Sequence, residues 1–169
     1  TDVAIEIVKE FDTPSAVLIK HANPCGVACA ENLKDAFTKA YSTDTVSAFG
    51  CILSLNRTVD EKTAEAITEP GHFVEAIAAP GFDDKAVEIL TTKRGWGKDL
   101  RLLKLNSLGD SPIKKGINDF RGVVGGVLVQ DKDMNSGDKD KLKVVTKKAP
   151  SDDEIEEMLF AWKVCKHTK

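Results

Sequence analysis

Apolar residues recur with two different spacings along the first 105 residues of the chain. Apolar positions every three to four residues predict amphipathic helices, and short apolar runs bounded by turn residues predict buried strands. In chain order the pattern predicts helix 3–11, strand 15–20, a turn at Asn23-Pro24-Cys25-Gly26, helix 32–41, strand 51–55, helix 60–68 with an acidic cap, strand 74–79, helix 83–91 and strand 100–105. This alternation indicates an α/β domain whose largely internal sheet is covered by helices.

The pattern changes after residue 106. Residues 120–129 form a β pattern interrupted by glycines, which predicts a hairpin or an edge element, and the charged stretch 131–143 predicts an exposed connection. Ser151 and Glu154 have the spacing of a capping box and predict the start of a last helix. Its apolar positions fall on one face, at Ile155, Met158, Leu159, Trp162 and Cys165.

Composition favours a soluble globular domain of 169 residues, a length that fits one domain. The formal net charge of −3, from 24 basic and 27 acidic side chains, creates no overall field that would attract nucleic acid. No apolar run approaches the roughly 20 residues that cross a bilayer, and no export signal is recognisable. The chain begins with Thr1 rather than Met, and its last segment lacks a helix stop signal. We therefore expect a piece of a longer protein.

The four cysteines are too few and too irregularly spaced for a disulfide framework, which predicts free thiols and a cytoplasmic location. A zinc deaminase would use a His-x-Glu and a Pro-Cys-x-x-Cys motif. Here His21 is followed two positions later by Asn23, and Cys29 lies four residues after Cys25. These departures argue against zinc, and no metal is expected.

The strongest candidate for a functional site is Lys20-His21-Ala22-Asn23-Pro24-Cys25-Gly26, at the end of a predicted apolar strand. Ligands of α/β proteins commonly bind at such strand ends. Taken alone, the same residues are also typical of a solvated lysine, a structural histidine and an ordinary turn.

Two further segments carry weaker signals. In Ser47-Ala48-Phe49-Gly50, Gly50 allows close approach of the backbone to a ligand and Phe49 offers a ring face, although a bulge and a core ring would explain both. Glu75 lies within an apolar strand, where a buried carboxylate needs a partner or a ligand. The alternative is that Glu75 is exposed.

Taken together, several motifs resemble the AICAR transformylase part of the bifunctional purine-biosynthesis enzymes, in the order and spacing of that family. The similarity covers nearly the whole chain, and the Lys-His-x-Asn-Pro-x-Gly block is its most specific part. The motifs are Ile19-Lys20-His21-Ala22-Asn23-Pro24-Cys25-Gly26, Ser47-Ala48-Phe49-Gly50, Glu75-Ala76-Ile77-Ala78-Ala79-Pro80, Leu100-Arg101-Leu102-Leu103 and Phe160-Ala161-Trp162-Lys163.

The resemblance implies a cytidine deaminase-like three-layer subdomain with a mixed sheet and no zinc, in a homodimer with sites at the subunit interface. It implies transfer of a formyl group from 10-formyltetrahydrofolate to the 5-amino group of AICAR, with His21 as the proton acceptor and Lys20 stabilising the transition state. Residues 1–169 would be the first, partial subdomain of this unit. The implied substrate-binding residues are His21, Gly50, Glu75, Phe49 and Asn23.

The chain also departs from the family. Cys51 stands where many members have Gly, and the family's substrate-contacting Arg-Tyr and Ser-Asn pairs lie outside the sequence. The ring-closing activity of the bifunctional enzymes belongs to a separate domain. We therefore expect these residues alone to be inactive, and the alternative is a catalytically silent nucleotide-binding or interaction module of the same fold.

Overall fold

The computed structural model describes residues 1–105, 118–135 and 137–169, which form an α/β fold with a mixed sheet flanked by helices. The expectation of an α/β domain is confirmed. The elements are α1 (Asp2–Val8), β1 (Ser15–Lys20), β2 (Asn23–Cys29), α2 (Leu33–Thr43), β3 (Cys51–Leu55), α3 (Glu61–Ile67), β4 (Val74–Ala79), α4 (Asp84–Thr92), β5 (Arg101–Lys104), β6 (Asn118–Val123), β7 (Gly126–Asp131) and α5 (Asp152–Lys166). Short 3-10 helices lie at Gly95–Lys98 and Lys139–Lys141.

The main sheet has the strand order β2-β1-β3-β4-β5. β1 pairs antiparallel with both β2 and β3, whereas β3, β4 and β5 run parallel to one another. β1 and β4 are buried along most of their length, because helices cover both faces of the sheet.

The two faces of the sheet are covered by different helices. α2, α3 and α4 pack on one face through the larger cluster of buried residues, which includes Phe37, Ile67 and Leu90. α1 packs on the other face through the smaller cluster, where Ile7 and Val8 are fully buried and α5 adds partly buried side chains. The result is a three-layer arrangement with the sheet in the middle.

The segment after β1 is a strand, so the turn predicted at Asn23-Pro24-Cys25-Gly26 is wrong. His21 and Ala22 make the turn instead, and Cys25 is a β-bulge with no partner in the ladder. Pro24 is accommodated because β2 is an edge strand of the sheet. The turn-forming residues therefore mark a bulged edge strand.

Side chains cap three of the helices as their sequences suggest. The Asp60 side chain accepts a hydrogen bond from the Thr63 backbone N–H at the start of α3. Ser151 and Glu154 form the complete capping box of α5, and Asn32 caps α2. None of the helices in the described ranges is both long enough and apolar enough to span a membrane.

The C-terminal third is less buried than the rest of the described chain. β6 and β7 form a separate exposed hairpin, which confirms the hairpin predicted over 120–129. The described residues of the connection 131–143 are mostly exposed, as expected. The apolar face predicted for α5 is not the one that packs on the α1 layer: Met158 and Trp162 are each 57% exposed, while Phe160 and Val164 pack there.

Candidate functional site

A tight turn at the end of β1 carries the first candidate residue. His21 and Ala22 both have positive φ angles, of 50° and 68°, and both are exposed. Two consecutive left-handed residues are the geometry of a type I′ hairpin turn, which Asn and Gly usually occupy. Since L side chains are strained in this region, the turn holds His21 at a cost in stability. Strain of this kind is often found at functional sites.

The strain of this turn leads to a testable prediction at Ala22. Ala22→Gly is expected to stabilise the chain by about 0.5–1 kcal/mol. Glycine removes the steric penalty of a left-handed residue, and its larger loss of backbone entropy on folding offsets only part of this gain. Urea unfolding followed by circular dichroism measures the change. The control is Ala161→Gly in α5, where the same substitution is expected to cost about 1 kcal/mol. A loss of stability at both positions would contradict strain at the turn.

The ammonium group of Lys20 is held by the segment that carries Phe49 and Gly50. Lys20 Nζ donates to the backbone oxygens of both residues, at 2.9 Å each. β1 and β3 are neighbours in the sheet, so the last residue of one strand reaches the segment leading into the other. The structure therefore brings together Lys20, Phe49 and Gly50, which are distant in sequence.

Gly50 lies where a larger residue would be strained and crowded. Its φ angle is 72°, and an added Cβ would lie 3.0 Å from Lys20 Nζ. Its backbone N–H donates to the Phe73 backbone oxygen at 2.9 Å. Asp44 organises the preceding turn: hydrogen bonds from the Ser47 backbone N–H, and also from Val46, lower the pKa of this carboxyl below its usual value.

Glu75 is exposed, and the interpretation of Glu75 as a buried carboxylate is wrong. The ladder between β3 and β4 pairs Cys51 with Val74 and then Ile52 with Ala76, so Glu75 is an extra residue without a partner. A bulge turns such a residue away from the regular alternation of a strand. Glu75 lies two residues from Phe73, whose backbone oxygen contacts Gly50.

Aromatic rings line an open groove next to this segment. The ring of Phe49, 55% exposed, lies 5.2 Å from that of Phe73, which lies 6.0 Å from that of Trp96. The groove has a volume of about 440 Å³ and is lined by Phe49, Gly71, His72, Phe73, Arg94 and Trp96. The sequence interpretation missed Phe73, Arg94 and Trp96. Phe73 precedes β4, whereas Arg94 and Trp96 lie between α4 and β5, and no local motif links these two segments.

Asn23 is occupied by a contact within the chain. Its Oδ1 accepts a hydrogen bond from the Lys169 backbone N–H at 2.7 Å. In the ladder, Asn23 pairs with Lys20 across the turn. The end of the C-terminal segment therefore lies beside the hairpin that carries Lys20 and His21.

Cys25 and Cys51 are weaker acids than free thiols. Burial raises the pKa of the Cys51 thiol to about 12 and also raises that of Cys25. Cys25 packs against the cluster under α2, whereas Cys29 packs against the cluster under α1, on the opposite face of the sheet. Within residues 1–105, 118–135 and 137–169, no three His, Cys, Asp or Glu side chains form a group that could hold a metal ion.

Comparison with known proteins extends over the whole chain. The family model described as "AICARFT/IMPCHase bienzyme" matches residues 1–169. The bifunctional purine biosynthesis protein PurH of Acetivibrio thermocellus is 51% identical to this chain over 98% of its residues. The PurH proteins of Thermoanaerobacter sp. and Caldicellulosiruptor saccharolyticus are 49% identical over 99% of the chain and 47% identical over 100% of it. The chain spans 31% of the length of each of these relatives. The chain therefore belongs to the AICARFT/IMPCHase bienzyme family.

Proposed function

We propose that this chain is the first, partial subdomain of an AICAR transformylase unit, with a cytidine deaminase-like fold. The reaction moves a formyl group from 10-formyltetrahydrofolate to the 5-amino group of AICAR in purine (IMP) biosynthesis. One observation carries the proposal: in a member of this family, the Lys20 ammonium is fixed by two carbonyl oxygens, and the next residue is the exposed, strained His21.

His21 is proposed to accept the proton of the attacking amine. The amine of AICAR is a poor nucleophile because its lone pair is delocalised into the imidazole ring. As its nitrogen bonds to the formyl carbon, one amine proton passes to the imidazole of His21. The carbon–nitrogen bond to the folate then breaks, and tetrahydrofolate leaves with a proton on its nitrogen. Such general-base help typically contributes about 10²–10⁴ in rate.

Lys20 is proposed to stabilise the negative charge that develops on the formyl oxygen. An ammonium group has three N–H donors. The backbone oxygens of Phe49 and Gly50 accept two hydrogen bonds from it, which leaves one donor for the reacting oxygen. Because two contacts fix its position before the reaction, the charge is preorganised, as electrostatic stabilisation of a transition state requires.

The remaining candidate residues are proposed to bind the substrate. Gly50 and the exposed Glu75 are proposed to contact AICAR, and the exposed ring of Phe49 to supply an apolar face. Asn23, next to the turn, is proposed as a further substrate contact. The working unit is proposed to be a cytoplasmic homodimer.

The test uses the longer protein that contains this chain, assayed for tetrahydrofolate formation from AICAR and 10-formyltetrahydrofolate. Lys20→Met is expected to lower kcat by about 10²–10³, the usual effect of removing one donor to an oxyanion. The control is Lys62→Met, an exposed lysine on α3. Near-normal turnover of Lys20→Met would contradict the role of Lys20. AICAR binding without turnover in the unaltered protein would favour a silent nucleotide-binding module.

The chain alone is expected to show no turnover in the same assay, because it spans 31% of the length of its relatives. Activity of residues 1–169 by themselves would contradict the proposal that the site is incomplete.

A further inference from the structure

A nearly buried ionic cluster joins the end of α5 to the residues that follow α1. Glu10 Oε1 accepts from Lys166 Nζ at 2.8 Å and lies 3.0 Å from His167 Nε2. The side chains of Glu10 and Lys166 are each 10% exposed, and that of His167 is 16% exposed. Removing the Glu10 carboxylate would leave the Lys166 ammonium nearly buried without this ion-pair partner.

Contacts between α5 and the residues after α1 hold this cluster in position. The rings of Phe11 and Phe160 lie 5.2 Å apart, and Lys163 Nζ is 5.6 Å from the centre of the Phe11 ring. Lys163 Nζ also donates to the Glu10 backbone oxygen at 3.0 Å. The last turns of α5 are therefore held on the α1 layer by one stripe of side chains.

The same end of α5 leads directly to the candidate site. Two residues after His167, the Lys169 backbone N–H donates to Asn23 Oδ1, and Asn23 pairs with Lys20 across the strained turn. We propose that Glu10 is a positioning residue that holds the end of α5, a proposal that rests on the function proposed above. Held in this way, Lys169 fixes Asn23 and, through Asn23, the hairpin that carries Lys20 and His21.

Hydrogen exchange tests the structural part of this proposal in the longer protein. Glu10→Gln, which keeps the shape of the side chain and removes its charge, is expected to speed exchange about tenfold in peptides covering 160–169 and 19–27. Lys166→Met is expected to do the same. The matched control is Glu6→Gln on α1, whose carboxylate pairs with Lys9 and Lys132. Unchanged exchange at 19–27 in both variants would overturn the proposal.

A double-mutant cycle tests whether Glu10 acts through Asn23. Glu10→Gln alone is expected to lower kcat/KM by about three- to tenfold. Combined with Asn23→Ala, it is expected to cause no loss of kcat/KM beyond that of Asn23→Ala alone. Additive losses would overturn the route through Asn23. An inactive unaltered protein would contradict the proposed function instead, and the exchange rates at 19–27 would still decide whether Glu10 holds the hairpin.

Discussion

We expect His21→Ala in the longer protein to lower kcat for the proposed formyl transfer by about 10²–10⁴, because the imidazole is proposed as the proton acceptor. The amine proton would then have no positioned base as its nitrogen attacks the formyl carbon. His21 is exposed in the turn after β1, so its removal leaves no cavity in the core. The measurement is single-turnover formation of tetrahydrofolate, which separates the chemical step from product release.

His21→Asn is the matched variant for this prediction. Asparagine tolerates the left-handed conformation that His21 adopts, at φ 50°, but it offers no base for the amine proton. Both variants are therefore expected to lose activity to a similar extent. Recovery of most of the rate in His21→Asn would show that His21 serves the turn rather than the chemistry.

Gly26→Ala is expected to destabilise the chain by about 3 kcal/mol, a large share of the roughly 5–15 kcal/mol that holds a domain folded. A Cβ at this position would lie 2.0 Å from the Ala40 backbone oxygen in α2. α2 cannot simply move away, because Phe37 and Tyr41 anchor it in the larger core cluster. Urea unfolding of the chain, followed by circular dichroism, measures the loss.

Gly95→Ala is the matched control. No described atom lies within 4 Å of the Cβ that the substitution would add at Gly95, and its backbone is outside the left-handed region. We expect a change of less than about 1 kcal/mol there, since only the backbone entropy of the unfolded chain differs. Equal effects at the two glycines would contradict steric exclusion at Gly26 as the cause.

Local pattern was sufficient for three of the strands and for two of the helix caps. The bounds of β1, β3 and β4 agree with the predicted strands 15–20, 51–55 and 74–79, because each is a buried apolar run with clear ends. The caps at Asp60 and Ser151 also agree, since capping depends only on residues three positions apart.

Local pattern failed where a strand departs from regular pairing. Cys25 and Glu75 are both bulge residues, and a bulge is defined by the partner strand as much as by its own sequence. Regular alternation would therefore misplace both side chains. At β2, the proline and glycine signals of a turn outweighed the weaker signal of an edge strand.

The amino-acid sequence by itself determined the α/β class, the order of most elements and the identity of Lys20 and His21 as candidates. Only the tertiary structure decided which stripe of α5 packs on α1, because two apolar stripes of helical spacing compete along it. It also decided that Lys20 is held by Phe49 and Gly50, and that Asn23 contacts Lys169. These contacts join residues 29 to 146 positions apart, and no local spacing encodes which distant partner a side chain meets.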